Sequence, residues 1–262
     1  MGILINERLA DGRIALLKIN RPDSMNALNT ALALEFIDAL ENIEEDQRVR
    51  VIVITAEGEK AFCAGGDLKE RKGMTEEQWF KQHRIFQTMY RKIREAKQPV
   101  ISVVNGFALG GGCELALTGD IIYSVPTAKF GLPEVKLGII PGVGGTQTIG
   151  RYLPRSIAIE LLLTGDFISA DDALKYGMIS KVAPYEEIFQ HALSQAQKIA
   201  DNSPLAVRMA RKAFNKGMDM PLEEGIDYAL QLYARLTHHD DRVEGVNAFN
   251  EKRKPNFKDP VE

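Results

Sequence analysis

Cysteine, tryptophan, surplus charge and long apolar runs are all scarce in this 262-residue sequence, and each scarcity excludes something. Two cysteines, Cys63 and Cys113, make neither a metal-ligand spacing nor a disulfide framework. Lying in apolar, Gly/Ala-rich surroundings, they are expected to be reduced, partly buried thiols in a reducing compartment. The formal net charge is −3, so no global positive field draws the chain to nucleic acid or to an anionic membrane. No apolar stretch approaches the ~18 residues that a spanning helix needs. The opening "MGILINERLADGR" lacks the long apolar segment of a secretory signal, and Asn6 stands where a Met-Gly myristoylation site wants Ser or Thr. The expected location is cytoplasmic, with no membrane partner. Neither G-x-G-x-x-G nor a P-loop is present.

What is present suits a folded core, with 45% hydrophobic and 26% charged residues. "ILINERL", the Asp11-Gly12 turn and "IALLKIN" read as a hairpin. Leu32, Phe36, Ala39, Leu40 and Ile43 then recur at helical spacing. "VRVIVIT" and "PVISVVNG" are β-branched runs of the kind that form buried strands, and Thr75 is placed to cap a long helix after it. The order runs strand–strand–helix, which predicts an α/β fold with mixed sheets rather than a plain doubly wound one. From Tyr185 onward the pattern becomes four successive helices, with a boundary expected near "DNSP". We divide the chain accordingly into a core over residues 1–199 and a helical region over 200–262. That tail is too short for a core of its own and is expected to pack on the main domain or on other subunits. Only the last few residues look loose.

Three stretches can carry chemistry. In "NGFALGGGCELALTGD" (105–120), three glycines enter a helix whose first-turn N–H groups lack internal partners, with Glu114 close by. Such a turn either packs tightly or offers bare amides to a phosphate or an oxyanion. "AFCAGGDLKE" (61–70) sets Gly65 and Gly66 ahead of Lys69, which is able to meet an anionic group. "FGLPEVKLGIIPGVGGTQ" (130–147) puts Glu134 after Pro133, the pattern of a helix start, and adds bare backbone at 141–145.

Together with the closing "AFNEKRKPNFKD", and in this order, these motifs resemble the crotonase (enoyl-CoA hydratase/isomerase) superfamily over nearly the whole chain. Within it the sequence is most similar to the hydratases; "DLKERKGM" and "GLPEVKLGIIPG" look like the methylglutaconyl-CoA type. The resemblance implies a crotonase-like spiral of ββα repeats with a helical C-terminal oligomerisation region, in a homo-oligomer, either a trimer or a dimer of trimers. It implies that the amides of Gly66 and Gly111 hold the thioester oxygen and that Glu114 and Glu134 are the two catalytic glutamates. Gly142 matches a backbone position near the attacking water. Ala64, Lys69 and Lys252 match positions that meet coenzyme A, Lys252 from another subunit. The implied reaction is reversible syn addition of water to a trans-2-enoyl-CoA, giving a 3-hydroxyacyl-CoA. It needs no metal and no cofactor, coenzyme A being part of the acyl-CoA thioester substrate.

The chemistry accounts for these residue types. Charge develops on the thioester oxygen, where one fixed amide donor is worth ~10²–10³ in rate. One carboxylate must take a proton from water while a second acid supplies Cα, and adjacent carboxyls titrate as a coupled pair. Which glutamate plays which part stays open, as does the acyl group, whose pocket depends on Trp79, Phe80 and Phe86. Δ3,Δ2-enoyl-CoA isomerisation is an alternative that needs only one glutamate. An alternative of another class is RNA binding by Lys69, Arg71, Lys72, Lys81, Arg84, Arg91, Lys92 and Arg94. The interspersed Glu70, Glu76, Glu77 and Glu95 argue for a solvated helix instead. His83, His191, His238 and His239 are not expected to be catalytic, and Cys113 has no histidine partner in view.

Overall fold

A hairpin begins the fold because Ala10, Asp11 and Gly12 all take positive φ (51°, 57° and 89°), reversing the chain between β1 (Leu4–Leu9) and β2 (Ile14–Ile19). The structure, a computed structural model, describes residues 2–258. The expected loose end at residues 259–262 lies outside them. Helix α1 (Thr30–Glu45) is capped by the Asn29 side chain and buries Leu32, Phe36, Ala39, Leu40 and Ile43, the stripe expected from their spacing.

From here the chain repeats one unit. Strand β3 (Val51–Ala56) enters a large sheet, β4 (Ala61–Cys63) enters a small one, and helices α2 (Leu68–Arg71) and α3 (Glu76–Glu95) close the turn. Thr75 and Gln78 form a reciprocal capping box at the start of α3. The second turn uses β5 (Val100–Val104), β6 (Phe107–Leu109) and α4 (Gly111–Ala116). The third uses β7 (Ile121–Ser124), β8 (Lys129–Gly131), α5 (Gly145–Tyr152) and α6 (Arg155–Thr164). β9 (Phe167–Ser169), α7 (Ala170–Lys175) and β10 (Lys181–Val182) complete the spiral.

The large sheet has the order β1-β2-β3-β5-β7-β10, and the small one β4-β6-β8-β9. Both are mixed: β1 with β2 and β8 with β9 are antiparallel, and the remaining pairs are parallel. The core lies between the large sheet and the helices, and includes Phe36, Phe62, Met89 and Phe130.

Helix α8 (Tyr185–Ala200) lies against β2, β3, β5 and β7, burying Ile188, Ala192, Ala196 and Ala200. After the connection at 201–203 come α9 (Pro204–Gly217), α10 (Leu222–Leu236) and α11 (Asp240–Asn250). α9 packs on α10 and is tied to the core by Arg211, whose Nε donates to Asp120 Oδ2 at 2.7 Å. Their other faces leave large apolar side chains in the open, among them Phe214, Leu222 and Phe249. No helix among the described residues is long and apolar enough to cross a membrane.

Candidate active site

β4, β6 and β8 are parallel neighbours, so their C-terminal ends emerge side by side. The chain leaves β4 into Ala64–Gly66, β6 into Gly110–Gly111, and β8 into a single 3₁₀ turn, Pro133–Leu137, that carries Glu134. Three motifs far apart in sequence therefore meet at one edge, the place where α/β sheets commonly hold ligands. The helix start expected after Pro133 is this short turn, ended by Gly138 in the left-handed region.

The three glycines do three different things. Gly110 has φ +53° and ψ −127°, and a Cβ there would lie 3.0 Å from Glu134 Oε1. Gly112 packs so closely that a Cβ would lie 1.9 Å from the Cys63 carbonyl oxygen. Gly111 is the first residue of α4, and its N–H has no acceptor among the described residues. The Gly66 N–H likewise has none. Tyr90, buried in α3, donates its hydroxyl to the Gly111 carbonyl and so fixes this turn. Burial holds its phenol well above the usual range.

Two carboxyl groups face this place from different surroundings. Glu114, in the first turn of α4, accepts on Oε1 from the N–H of Gly145 at 2.7 Å and of Val143 at 3.0 Å. Burial raises its carboxyl, and those two amides pull it back toward the ionised form. Glu134 is also buried, but its Oε2 has no hydrogen-bond partner among the described residues. Burial, with the charge of Glu114 adding, pushes it up to about 7. The pair is thus split into an amide-supported carboxylate and a neighbour that holds its proton near neutral pH.

These groups line a cavity of about 660 Å³. Ala64, Gly66, Gly111, Glu114, Glu134 and Gly142 all border it, although they come from two loops, helix α4 and the 3₁₀ turn. Lys69 and Lys252 do not: both are exposed, Lys69 on α2 and Lys252 just beyond α11. Trp79, Phe80 and Phe86 from α3 form a wall, and Leu137 and Ile140 also line the cavity. His83 joins that wall beside Gly142, its imidazole driven toward the neutral form by burial and then by Arg71. Arg71 also borders the cavity rather than joining an outward basic run. Lys92 pairs with Glu41 at 3.1 Å and Arg94 Nη1 donates to the Val143 carbonyl at 2.8 Å, so the basic residues do not form one stripe. Sequence reasoning missed Arg71 because it closes a four-residue helix, too short for periodicity to show which way it faces. Cys63 and Cys113 are buried free thiols; burial pushes Cys63 up to about 12 and Cys113 higher. Among the described residues no group of three or more His, Cys, Asp or Glu is arranged to hold a metal ion.

A family model described as enoyl-CoA hydratase/isomerase matches residues 10–260. The mitochondrial enoyl-CoA hydratase of Pongo abelii is 42% identical over 257 residues, covering 98% of this chain and 88% of that protein. The crotonyl-CoA hydratase of Syntrophomonas wolfei is 40% identical, covering 94% of each chain. A crystal structure of enoyl-CoA hydratase from Bacillus anthracis superposes with a TM-score of 0.95 at 40% identity, covering 99% of this chain and 100% of that one. The ββα spiral expected from the sequence is the architecture found, and family model, relatives and solved structure agree over almost the full length. The chain belongs to the enoyl-CoA hydratase/isomerase family.

Proposed function

We propose that this protein is an enoyl-CoA hydratase that adds water reversibly across a trans-2-enoyl-CoA. The observation that carries this reading is the meeting of two unpartnered amides and two differently supported glutamates on one cavity. The N–H groups of Gly66 and Gly111 hold the thioester oxygen, which gains negative charge as the water oxygen bonds to Cβ. Glu114, whose carboxylate accepts from the amides of Gly145 and Val143, takes the proton that the water gives up. Glu134 delivers its proton to Cα as the enolate collapses, and proton exchange between the two carboxyls resets the site. The backbone near Gly142 borders the water's position. Water and the thioester supply every atom of the product, so the balance calls for no cofactor. Isomerisation of a 3-enoyl thioester needs one proton shuttle only and leaves the second glutamate without a task.

The helical region 200–262 is assigned to oligomer formation, as a trimer or a dimer of trimers. Phe214 (68% exposed), Leu222 (76%) and Phe249 (84%) support this, because side chains so apolar and so open suit a second copy. Lys252, at the end of that region, then reaches a neighbouring copy's coenzyme A, while Lys69 meets it from within the same chain. The two buried thiols suit a reducing compartment, cytoplasmic in the simplest case. The test is conversion of crotonyl-CoA to 3-hydroxybutanoyl-CoA, followed by loss of the conjugated absorbance and by product mass. Conversion supports hydration. Binding without conversion, together with turnover of a 3-enoyl-CoA, overturns it in favour of isomerisation.

A further inference from the structure

The two free amides of the site are aimed by different means. In a planar trans peptide the N–H points opposite to the carbonyl of the preceding residue, so whatever holds that carbonyl also aims the N–H. For Gly66 the carbonyl is that of Gly65, which accepts from the Leu28 N–H at 2.8 Å, and the Asp67 N–H donates to the Leu28 carbonyl at 2.8 Å. Gly66 is thus locked in a β-bridge to Leu28, and backbone alone turns its N–H away from that partner.

For Gly111 the carbonyl is that of Gly110, which accepts from the Glu114 N–H at 3.0 Å. That bond opens a helix of only six residues, and the end turns of so short a helix fray unless something outside holds them. Glycine at 110, 111 and 112 removes the Cβ contacts that restrict rotation elsewhere. The outside hold on the next peptide plane is a side chain: Tyr90 donates its hydroxyl to the Gly111 carbonyl. Tyr90 is 1% exposed and belongs to the 20-residue helix α3. It shares a stripe at helical spacing with Trp79, His83 and Phe86, and all four border the cavity. A Cβ on Gly111 would lie 3.3 Å from the Tyr90 hydroxyl oxygen and 3.4 Å from Leu28 Cδ1, so this face of the glycine is already occupied.

We propose that Tyr90 is a positioning residue for hydration: by holding the Gly111 carbonyl, its hydroxyl keeps the Gly111 N–H aimed at the thioester oxygen. The proposal rests on the reading that the Gly66 and Gly111 amides bind that oxygen. Tyr90→Phe keeps the ring and deletes only the bond. Tyr152→Phe is the matched control, because the half-buried Tyr152 donates to the carbonyls of Gly119 at 3.0 Å and Leu117 at 3.3 Å, past the far end of α4 and outside the cavity. Two readouts are taken: kcat and KM for crotonyl-CoA, and the infrared carbonyl stretch of bound butanoyl-CoA labelled at its thioester carbon, which falls as hydrogen bonds polarise the carbonyl. Tyr90→Phe is expected to lower kcat about tenfold, to leave KM within about threefold, and to move the stretch back toward its value in solution. Tyr152→Phe is expected to lower the melting temperature while kcat and the stretch stay near wild type. A wild-type stretch in Tyr90→Phe, a kcat within about twofold of wild type, or equal losses in the two variants overturns the proposal. A stretch unshifted in the wild type itself sinks the oxyanion reading, whereas a wild-type shift that survives in Tyr90→Phe sinks only the role of Tyr90.

Discussion

The two sheets divide the work of this molecule. In the large sheet, β3 ("VIVITA") and β5 ("VISVV") bury every residue and pair in register with their neighbours. The strands of the small sheet are three residues long, and β4, β6 and β8 run on into Ala-Gly-Gly, Gly-Gly-Gly and Leu-Pro-Glu. The large sheet pairs its central strands on both sides and supplies the core. The small sheet stops pairing early, leaving the N–H groups of Gly66 and Gly111 and the Oε2 of Glu134 without partners at one edge. Groups left unsatisfied inside a protein cost stability, and they are tolerable here because a rigid neighbouring sheet holds them.

The strongest way to break this contrast is Gly112→Ala. The new methyl collides with the Cys63 backbone and must push α4 off β4, so stability is expected to fall by about 3 kcal/mol or more, with loss of activity. Chemical denaturation alongside turnover measures both. Val53→Ala, at the centre of the large sheet, is the matched control. It should lower stability by about 1–3 kcal/mol while turnover per folded molecule is retained; a large fall in kcat would deny the division of labour.

A smaller effect sharpens the comparison through pH. The Glu134 carboxyl is raised in the folded state from an ordinary 4.5 to about 7. Between those values the native protein binds more protons than the unfolded chain, so stability falls as pH rises through that window. Melting temperatures measured across pH 4–8 should show this slope in the wild type and a flatter profile in Glu134→Gln. The smallest effects belong to the exposed lysines: Lys69→Ala and Lys252→Ala should each raise KM roughly three- to tenfold and leave kcat nearly intact. An unchanged KM would remove the residue from the coenzyme A contact.

Long periodic elements were legible in the sequence. The stripe from Leu32 to Ile43, the Thr75 cap and the four C-terminal helices all carry local signals strong enough to read alone. The site was legible mainly as a family resemblance, which led to Glu114, Glu134, Gly66 and Gly111. Its construction was not, because β4, β6 and β8 are too short for any period and their pairing is wholly non-local. The glycine run invited two alternative explanations, close packing or bare amides, and the structure uses both: only the contact with Cys63 separates Gly112 from Gly111. Nor could spacing show that Arg71 turns inward, since its direction is set by Trp79 and Gln82, eight and eleven residues further on.

The most direct test of the central claim is kcat for crotonyl-CoA hydration by wild type, Glu114→Gln and Glu134→Gln, with binding of butanoyl-CoA measured on the same preparations. The account predicts that each variant loses about 10³-fold or more in kcat while still binding the thioester. Near-wild-type hydration by either variant would contradict it, because the site would then be working without one of its two carboxyl groups.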